Sequence, residues 1–207
     1  MTSVSGPLRK GSSSDPIRCA ILISGSGSGM KAMIHHQQSN LDCGHETVVV
    51  ISDKESALGL QKAELLGIQS HCIPLPHQED PVLRRHQHEL LLQQLLGEYN
   101  VELILLSGYM RLVSAQFVEQ WAPRIINIHP SLLPAFPGAH AHRDVLLSGV
   151  KVSGCTVHLV DAGMDSGQIL GQRRVPVFPN DDEPSLSARV RIEEHTLYPE
   201  IVDKLVK

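Results

Sequence analysis

The chain alternates short aliphatic runs with longer stretches in which apolar residues recur every three or four positions. Arg18–Ser24 (RCAILIS), Thr47–Ser52 (TVVVIS) and Leu103–Ser107 (LILLS) are near-continuous apolar runs of strand length, the pattern of strands covered on both faces. Arg124–His129 (RIINIH) reads as a further strand that runs into a proline-rich loop, Pro130–Ala139. Ser70–Ile73 is a short strand candidate ahead of Pro74 and Pro76. Two late strands, Gly154–Val160 and Gln168–Val177, flank a polar turn. Between the strands, helical spacing predicts helices over Met30–Gln38, Ser56–Leu66, Pro81–Tyr99 and Ser114–Trp121, another near His142–Leu147, and a last one from about Ser185 onward. Gly67 stands where a helix C-cap belongs, and Ser114 where an N-cap belongs.

Strand–helix alternation predicts βαβ units. The fold class is therefore α/β, with an open, mostly parallel twisted sheet and helices on both faces. One domain is expected over residues 17–207. Residues 1–16 (MTSVSGPLRKGSSSDP) lack apolar spacing and read as a flexible leader. In such sheets ligands bind beyond the carboxyl ends of the strands. The strand exits to inspect are Gly25–Met30, Asp53–Glu55, Gly108–Arg111, His129–His142 and Asp161–Gly167.

Composition narrows the function classes. The 207 residues carry a net charge of −4 and only 3% aromatics. Such a chain has no basic field for nucleic acid or an anionic membrane and few rings for stacking bases. No apolar run reaches the roughly 18 residues of a membrane span, and the first residues contain no signal-peptide core. Cys19, Cys43, Cys72 and Cys155 form no CxxC pair, which fits reduced thiols and a cytoplasmic setting. His86/His88 and His140/His142 have the look of metal pairs. Neither has a third or fourth ligand at zinc spacing, so no metal is expected.

Three segments at strand exits carry chemistry. Ser24-Gly25-Ser26-Gly27-Ser28-Gly29-Met30 is a glycine-rich strand-to-helix turn. Its amides suit one phosphate, since neither the dinucleotide fingerprint nor the Walker pattern is complete and no nucleotide cofactor is implied. Asn127 and His129 lie two apart on a strand, so their side chains share a face and can stabilise an oxygen that gains negative charge. Asp165, in Asp161-Ala162-Gly163-Met164-Asp165-Ser166-Gly167, is placed to orient His129 and raise its pKa. Asp161 reads more as a turn-former. His158 is read as a core histidine or as a buttress for Asp165.

The stretches LISGSGSGM, SGYMRLVSAQFV, NIHPSLLPAFPG and GCTVHLVDAGMDSGQIL resemble the phosphoribosylglycinamide formyltransferases, folate-dependent enzymes of purine synthesis within the formyl-folate transferase superfamily. The likeness runs from about Arg18 to the end of the chain and implies their Rossmann-like fold. It implies that Asn127, His129 and Asp165 are the catalytic trio. Gly27, Ser28 and Gly29 then hold the substrate phosphate, and Glu194 holds the ribose hydroxyls. Met110, Arg111, Val113 and Val160, Asp161, Ala162, Gly163 and Met164 surround the folate. His142 falls in a loop near the site, and an arginine near Arg84 or Arg85 faces the folate tail.

The implied substrates are glycinamide ribonucleotide and 10-formyltetrahydrofolate. The resemblance leaves oligomeric state open, as well as whether the chain stands alone or is a domain of a larger purine-synthesis polypeptide. Two departures are visible: Gly29 replaces a usual Asn, and Leu159 a frequent aromatic. Competing expectations are a formyltetrahydrofolate hydrolase and a non-catalytic nucleotide-binding module.

Overall fold

A computed structural model describes residues 6–207. In chain order its elements are β1 (Ile17–Ile23), α1 (Ser28–Ser39), β2 (His45–Ser52), α2 (Leu58–Leu65), β3 (Ser70–Cys72), α3 (Pro81–Glu98), β4 (Leu103–Leu106), α4 (Ala115–Trp121), β5 (Ile125–His129), α5 (Ala141–Ser148), β6 (Val152–Leu159), β7 (Ile169–Pro176) and α6 (Glu183–Val206). The strands form one seven-stranded sheet in the order β3-β2-β1-β4-β5-β6-β7. β1 to β5 are parallel, and β6 and β7 pair antiparallel at one end. The predicted alternation and mostly parallel sheet are present, with helix and strand ends within a few residues of their expected places.

The strand pattern explains the two-sided core. Ile17, Cys19, Ile21 and Ile23 of β1 point to one face, where they meet Met30, Met33 and Ile34 of α1 and Val190, Leu197 and Val202 of α6. Ala20 and Leu22 point to the other, against Leu92 and Leu96 of α3 and Phe117 and Trp121 of α4. A run apolar on both faces is what a covered parallel strand requires. Asp80 caps α3 by accepting from the Val82 and Leu83 amides. Ser114 caps α4 through the Phe117 amide, as its position predicts. Gly67, at φ +77°, follows α2 and donates to the Glu64 carbonyl, the expected left-handed stop.

The strand order reverses at β1, since β2 lies on one side of it and β4 on the other. That switch point opens a crevice at the strands' carboxyl ends. The segment read as a flexible leader behaves differently over residues 6–16, where it is laid along the domain; residues 1–5 lie outside the described residues. Arg9 pairs with Asp15 at 3.1 Å and with Glu102 on the strand-entry side, and the Gly11 amide donates to the Val206 carbonyl at 2.8 Å. A guanidinium reaching a half-buried carboxylate is a contact that serine and glycine content does not announce. Among the described residues, no helix is long and apolar enough to cross a membrane.

Candidate active site

At the crevice, a cavity of about 610 Å³ is lined by the exits of β1, β4, β5 and β6 and by one face of α6. Its size suits small-molecule ligands. The glycine turn forms one end. Gly27 sits at φ +67° as the N-cap of α1, where an added Cβ would lie 2.8 Å from the Gly59 backbone. Both facts require glycine there. The turn is tied down by the Gly59 amide donating to the Gly25 carbonyl and by Lys62 Nζ donating to the Ser26 carbonyl. No side chain caps α1 and no acidic residue lies in its first turn. Ser28 and Gly29 line the cavity, so the positive end of the helix faces it. Gly27 shapes the turn without lining the cavity.

Asn127, His129 and Asp165 come together on the wall of this cavity. The antiparallel register sets Asn127 directly opposite His158. Asn127 Nδ2 lies 3.1 Å from His158 Nε2 and 3.5 Å from Asp165 Oδ1. His158 Nδ1 donates to the Leu159 carbonyl at 2.8 Å, and its Nε2 lies 3.6 Å from Asp165 Oδ1. Asp165 adopts φ +52°, a left-handed conformation uncommon outside glycine but tolerated by Asp. There its Oδ2 accepts from the Gly138 amide at 2.8 Å and lies 3.4 Å from His129 Nδ1. Asp165 thus links the β6–β7 turn to the proline-rich loop.

That loop is fixed from below. Thr156 Oγ1 donates to the Ser131 carbonyl at 2.6 Å and accepts from the Leu133 amide at 3.0 Å, while Gln172 donates to the Leu133 carbonyl at 2.8 Å. The result places the Phe136 carbonyl 2.9 Å from His129 Nε2. His129 Nε2 therefore holds a proton, and Nδ1 is the nitrogen that faces Asp165.

The electrostatics correct one expectation. His129 was expected to have a raised pKa. Burial instead lowers it, and the Phe136 carbonyl and Asp165 only partly offset that effect. The carboxylate fares differently: Asp165 is held down to about 2, with the His158 imidazole as the largest cause and the Gly138 amide and His129 adding to it against burial. His129 Nδ1 and the Asp165 carboxylate face each other across a 3.4 Å gap, close enough to hold one proton between them. A proton arriving there is shared by both.

Glu194 lines the same cavity from α6. Burial raises its pKa to about 7, and Arg191 opposes the rise. His142 also lines the cavity, with Nδ1 buried and unpartnered and its pKa lowered chiefly by burial. Met110, Arg111 and Val113 form one wall and Val160 to Met164 the facing one. Arg111 Nε donates at 2.7 Å to Asp53, whose side chain is fully buried. Asp161 does form a turn, accepting from the Gly163 amide at 3.0 Å and Ser166 Oγ at 2.9 Å. Arg85, not Arg84, reaches this cavity. The cysteines stay out of it, and burial pushes the Cys155 thiol up to about 12, so no thiolate nucleophile is at hand.

Sequence reasoning missed Ser107, Ser187, Arg191 and Tyr198 on the cavity wall. A signal existed for part of the set: Ser187, Arg191, Glu194 and Tyr198 recur at helical spacing and so share one face of α6. Of the histidine pairs, His88 is buried and bonded to Tyr109 Oη at 2.7 Å, His142 is in the cavity, and His86 and His140 are exposed.

Comparison with known proteins agrees with the layout. The formyl transferase family profile matches residues 17–202. The chain is 43% identical over 190 residues to the trifunctional purine biosynthetic protein adenosine-3 of Drosophila melanogaster, covering 91% of this chain and 14% of that protein. It spans less than a fifth of the trifunctional relatives, 19% of the Bos taurus one. It is 38% identical to phosphoribosylglycinamide formyltransferase of Escherichia coli, covering 88% of this chain and 84% of that one. Among solved structures, phosphoribosylglycinamide formyltransferase from Brucella melitensis superposes with a TM-score of 0.84 at 42% identity, covering 92% and 96% of the two chains. Glycinamide ribonucleotide transformylase 1 from Symbiobacterium toebii gives 0.85 at 40%, covering 91% and 86%.

Proposed function

The chain belongs to the formyl transferase family, and from that premise we propose that it transfers the formyl group of 10-formyltetrahydrofolate to the amine of glycinamide ribonucleotide. The observation that carries the reading is the one cavity joining a free helix N-terminus, Glu194 and the Asn127–His129–Asp165 group. An anion, a diol and a reacting carbonyl need those three features in one cavity. Ser28 and Gly29 hold the phosphate through the first amides of α1, shaped by Gly27. Glu194 accepts from the ribose hydroxyls. Met110, Arg111 and Val113 on one side and Val160, Asp161, Ala162, Gly163 and Met164 on the other enclose the folate.

The amine nitrogen forms a bond to the formyl carbon, and the bond from that carbon to the folate nitrogen breaks. The amine loses a proton, and the leaving nitrogen gains one. Asn127 donates to the formyl oxygen as it becomes negative. Its contact to Asp165 is long, 3.5 Å, so rotating the whole amide toward the oxyanion gives up little there. The amine's proton enters the gap between His129 Nδ1 and Asp165 Oδ2, where the charged imidazole is stabilised by the carboxylate, and leaves it for the folate nitrogen. Holding both substrates in one cavity supplies the proximity. No protein nucleophile, metal or nucleotide cofactor takes part in these steps. The setting is cytoplasmic, and the same unit serves alone or within a larger purine-synthesis polypeptide.

The test is consumption of 10-formyltetrahydrofolate by the purified chain with and without glycinamide ribonucleotide. Turnover that requires the ribonucleotide supports the reading. Formate release at the same rate without it makes the protein a hydrolase and overturns the proposal.

A further inference from the structure

We propose that His36, Cys43, His45 and Asp203, away from the candidate active site, form a zinc-binding site. The four come from three places in the fold: the end of α1, the turn into β2 and the start of that strand, and the last turns of α6. His36 Nε2 lies 2.9 Å from Asp203 Oδ2, His45 Nε2 2.9 Å from Asp203 Oδ1, and Cys43 Sγ 3.9 Å from the same Oδ1. All four ligand atoms fall within 4.8 Å of one another. Tetrahedral zinc with bonds of about 2.0–2.3 Å sets its ligands roughly 3.3–3.7 Å apart, so small side-chain adjustments close the shell. The two imidazoles are near-parallel, 18° between planes, and both aim Nε2 at the same carboxylate.

The donor set selects the ion. Two imidazoles, a thiol and a carboxylate suit a borderline-soft dication and not magnesium or calcium. On binding, Cys43 releases its proton to solvent, both imidazoles coordinate as neutral rings and Asp203 coordinates as carboxylate. Thiolate, carboxylate and Zn²⁺ sum to zero charge, which suits a site where Cys43 and His45 are buried. His36 and Asp203 remain partly exposed, with side chains 29% and 16% accessible, and provide the way in.

Gln37 supplies a further constraint. Its Oε1 accepts from the Thr47 amide at 3.0 Å and Thr47 Oγ1 at 2.7 Å, so its Nε2 must donate to His45 Nδ1 at 2.8 Å. That arrangement protonates His45 at Nε2, the form that bonds Asp203 without metal. Coordination through Nε2 moves the proton to Nδ1, which needs an acceptor. The amide then turns over, and Thr47 Oγ1 accepts from Gln37 Nε2. A carboxylate at residue 37 satisfies His45 Nδ1–H and the Thr47 amide together. Gln37→Glu is therefore predicted to tighten zinc by about 10-fold or more, the scale of such outer contacts.

The experiment titrates the chelator-stripped full chain with Co²⁺, then with Zn²⁺. One equivalent is expected to give tetrahedral visible bands and a thiolate-to-cobalt band in the near ultraviolet, both abolished by Zn²⁺. Cys43→Ser should remove the thiolate band and weaken binding at least about 10-fold. Should that variant fail to fold, the more exposed His36→Gln, with unchanged circular dichroism, is expected to weaken binding to the same degree. Absence of stoichiometric binding, or an unchanged spectrum or affinity in the variant, overturns the proposal, since the cluster is then only a hydrogen-bonded tie between α1, β2 and α6.

Discussion

Replacing Glu194 by Gln separates what the fold pays for this carboxylate from what the substrate gains. Burial raises the Glu194 pKa from 4.5 to about 7. A carboxyl that holds its proton more tightly when folded stabilises the fold at low pH and loses that advantage as pH rises. Its contribution falls from pH 4.5 and is gone above about pH 7. At about 1.4 kcal/mol per pH unit, the loss is at most about 3.5 kcal/mol, less in so far as the cavity admits water. Gln has no such dependence. Urea unfolding of wild type and E194Q should give equal stabilities near pH 4.5 and a more stable variant at pH 8. Taking the difference between the two proteins removes the opposite trend of His88, His129 and His142, whose pKa values desolvation lowers. The same variant should raise the KM for glycinamide ribonucleotide more than it lowers kcat, and should lose the acidic limb near pH 7 in kcat/KM. A stability difference that is flat with pH, or a less stable variant at pH 8, refutes this account of Glu194.

Three further outcomes are expected. Asn127→Ala should lower turnover by about 10²–10³ while leaving the unfolding transition in place, because one oxyanion donor is gone; near-normal kcat contradicts the assignment. In Asp165→Asn, stability at neutral pH should drop by about 2 kcal/mol. The Asp165 pKa of about 2 makes its contribution complete above pH 4 and lost as pH falls through 2, so wild type and variant should converge in acid unfolding. Arg111→Ala leaves the buried Asp53 side chain without its partner and should lower stability by about 1–2 kcal/mol, with Asp53→Asn in the same chain recovering much of it; denaturant midpoints read both.

The parallel half of the fold was legible because strands covered on both faces must be apolar throughout, as Ile17–Ile23 is. The locations of Asn127 and Asp165 were legible because ligand chemistry in such folds gathers at strand exits. What escaped the reading depends on pairings between distant segments. The antiparallel docking of β6 puts His158 opposite Asn127, and no local pattern specifies that register. The burial of His129, which outweighs Asp165, comes from the proline-rich loop folded over it and from Thr156 and Gln172 beneath. Arg9 meets Glu102 from 93 residues away, a pairing no local pattern specifies. His36, Cys43 and His45 were visible within ten residues, but their fourth partner, Asp203, lies far along the chain.

The most direct measurement follows a ¹³C-labelled formyl group through a single turnover with the purified chain, 10-formyltetrahydrofolate and glycinamide ribonucleotide. The account predicts that the label appears as an amide on the ribonucleotide, and that Asn127→Ala and His129→Ala slow its appearance without rerouting it. Label found as free formate, or transfer at undiminished rate in both variants, would contradict it.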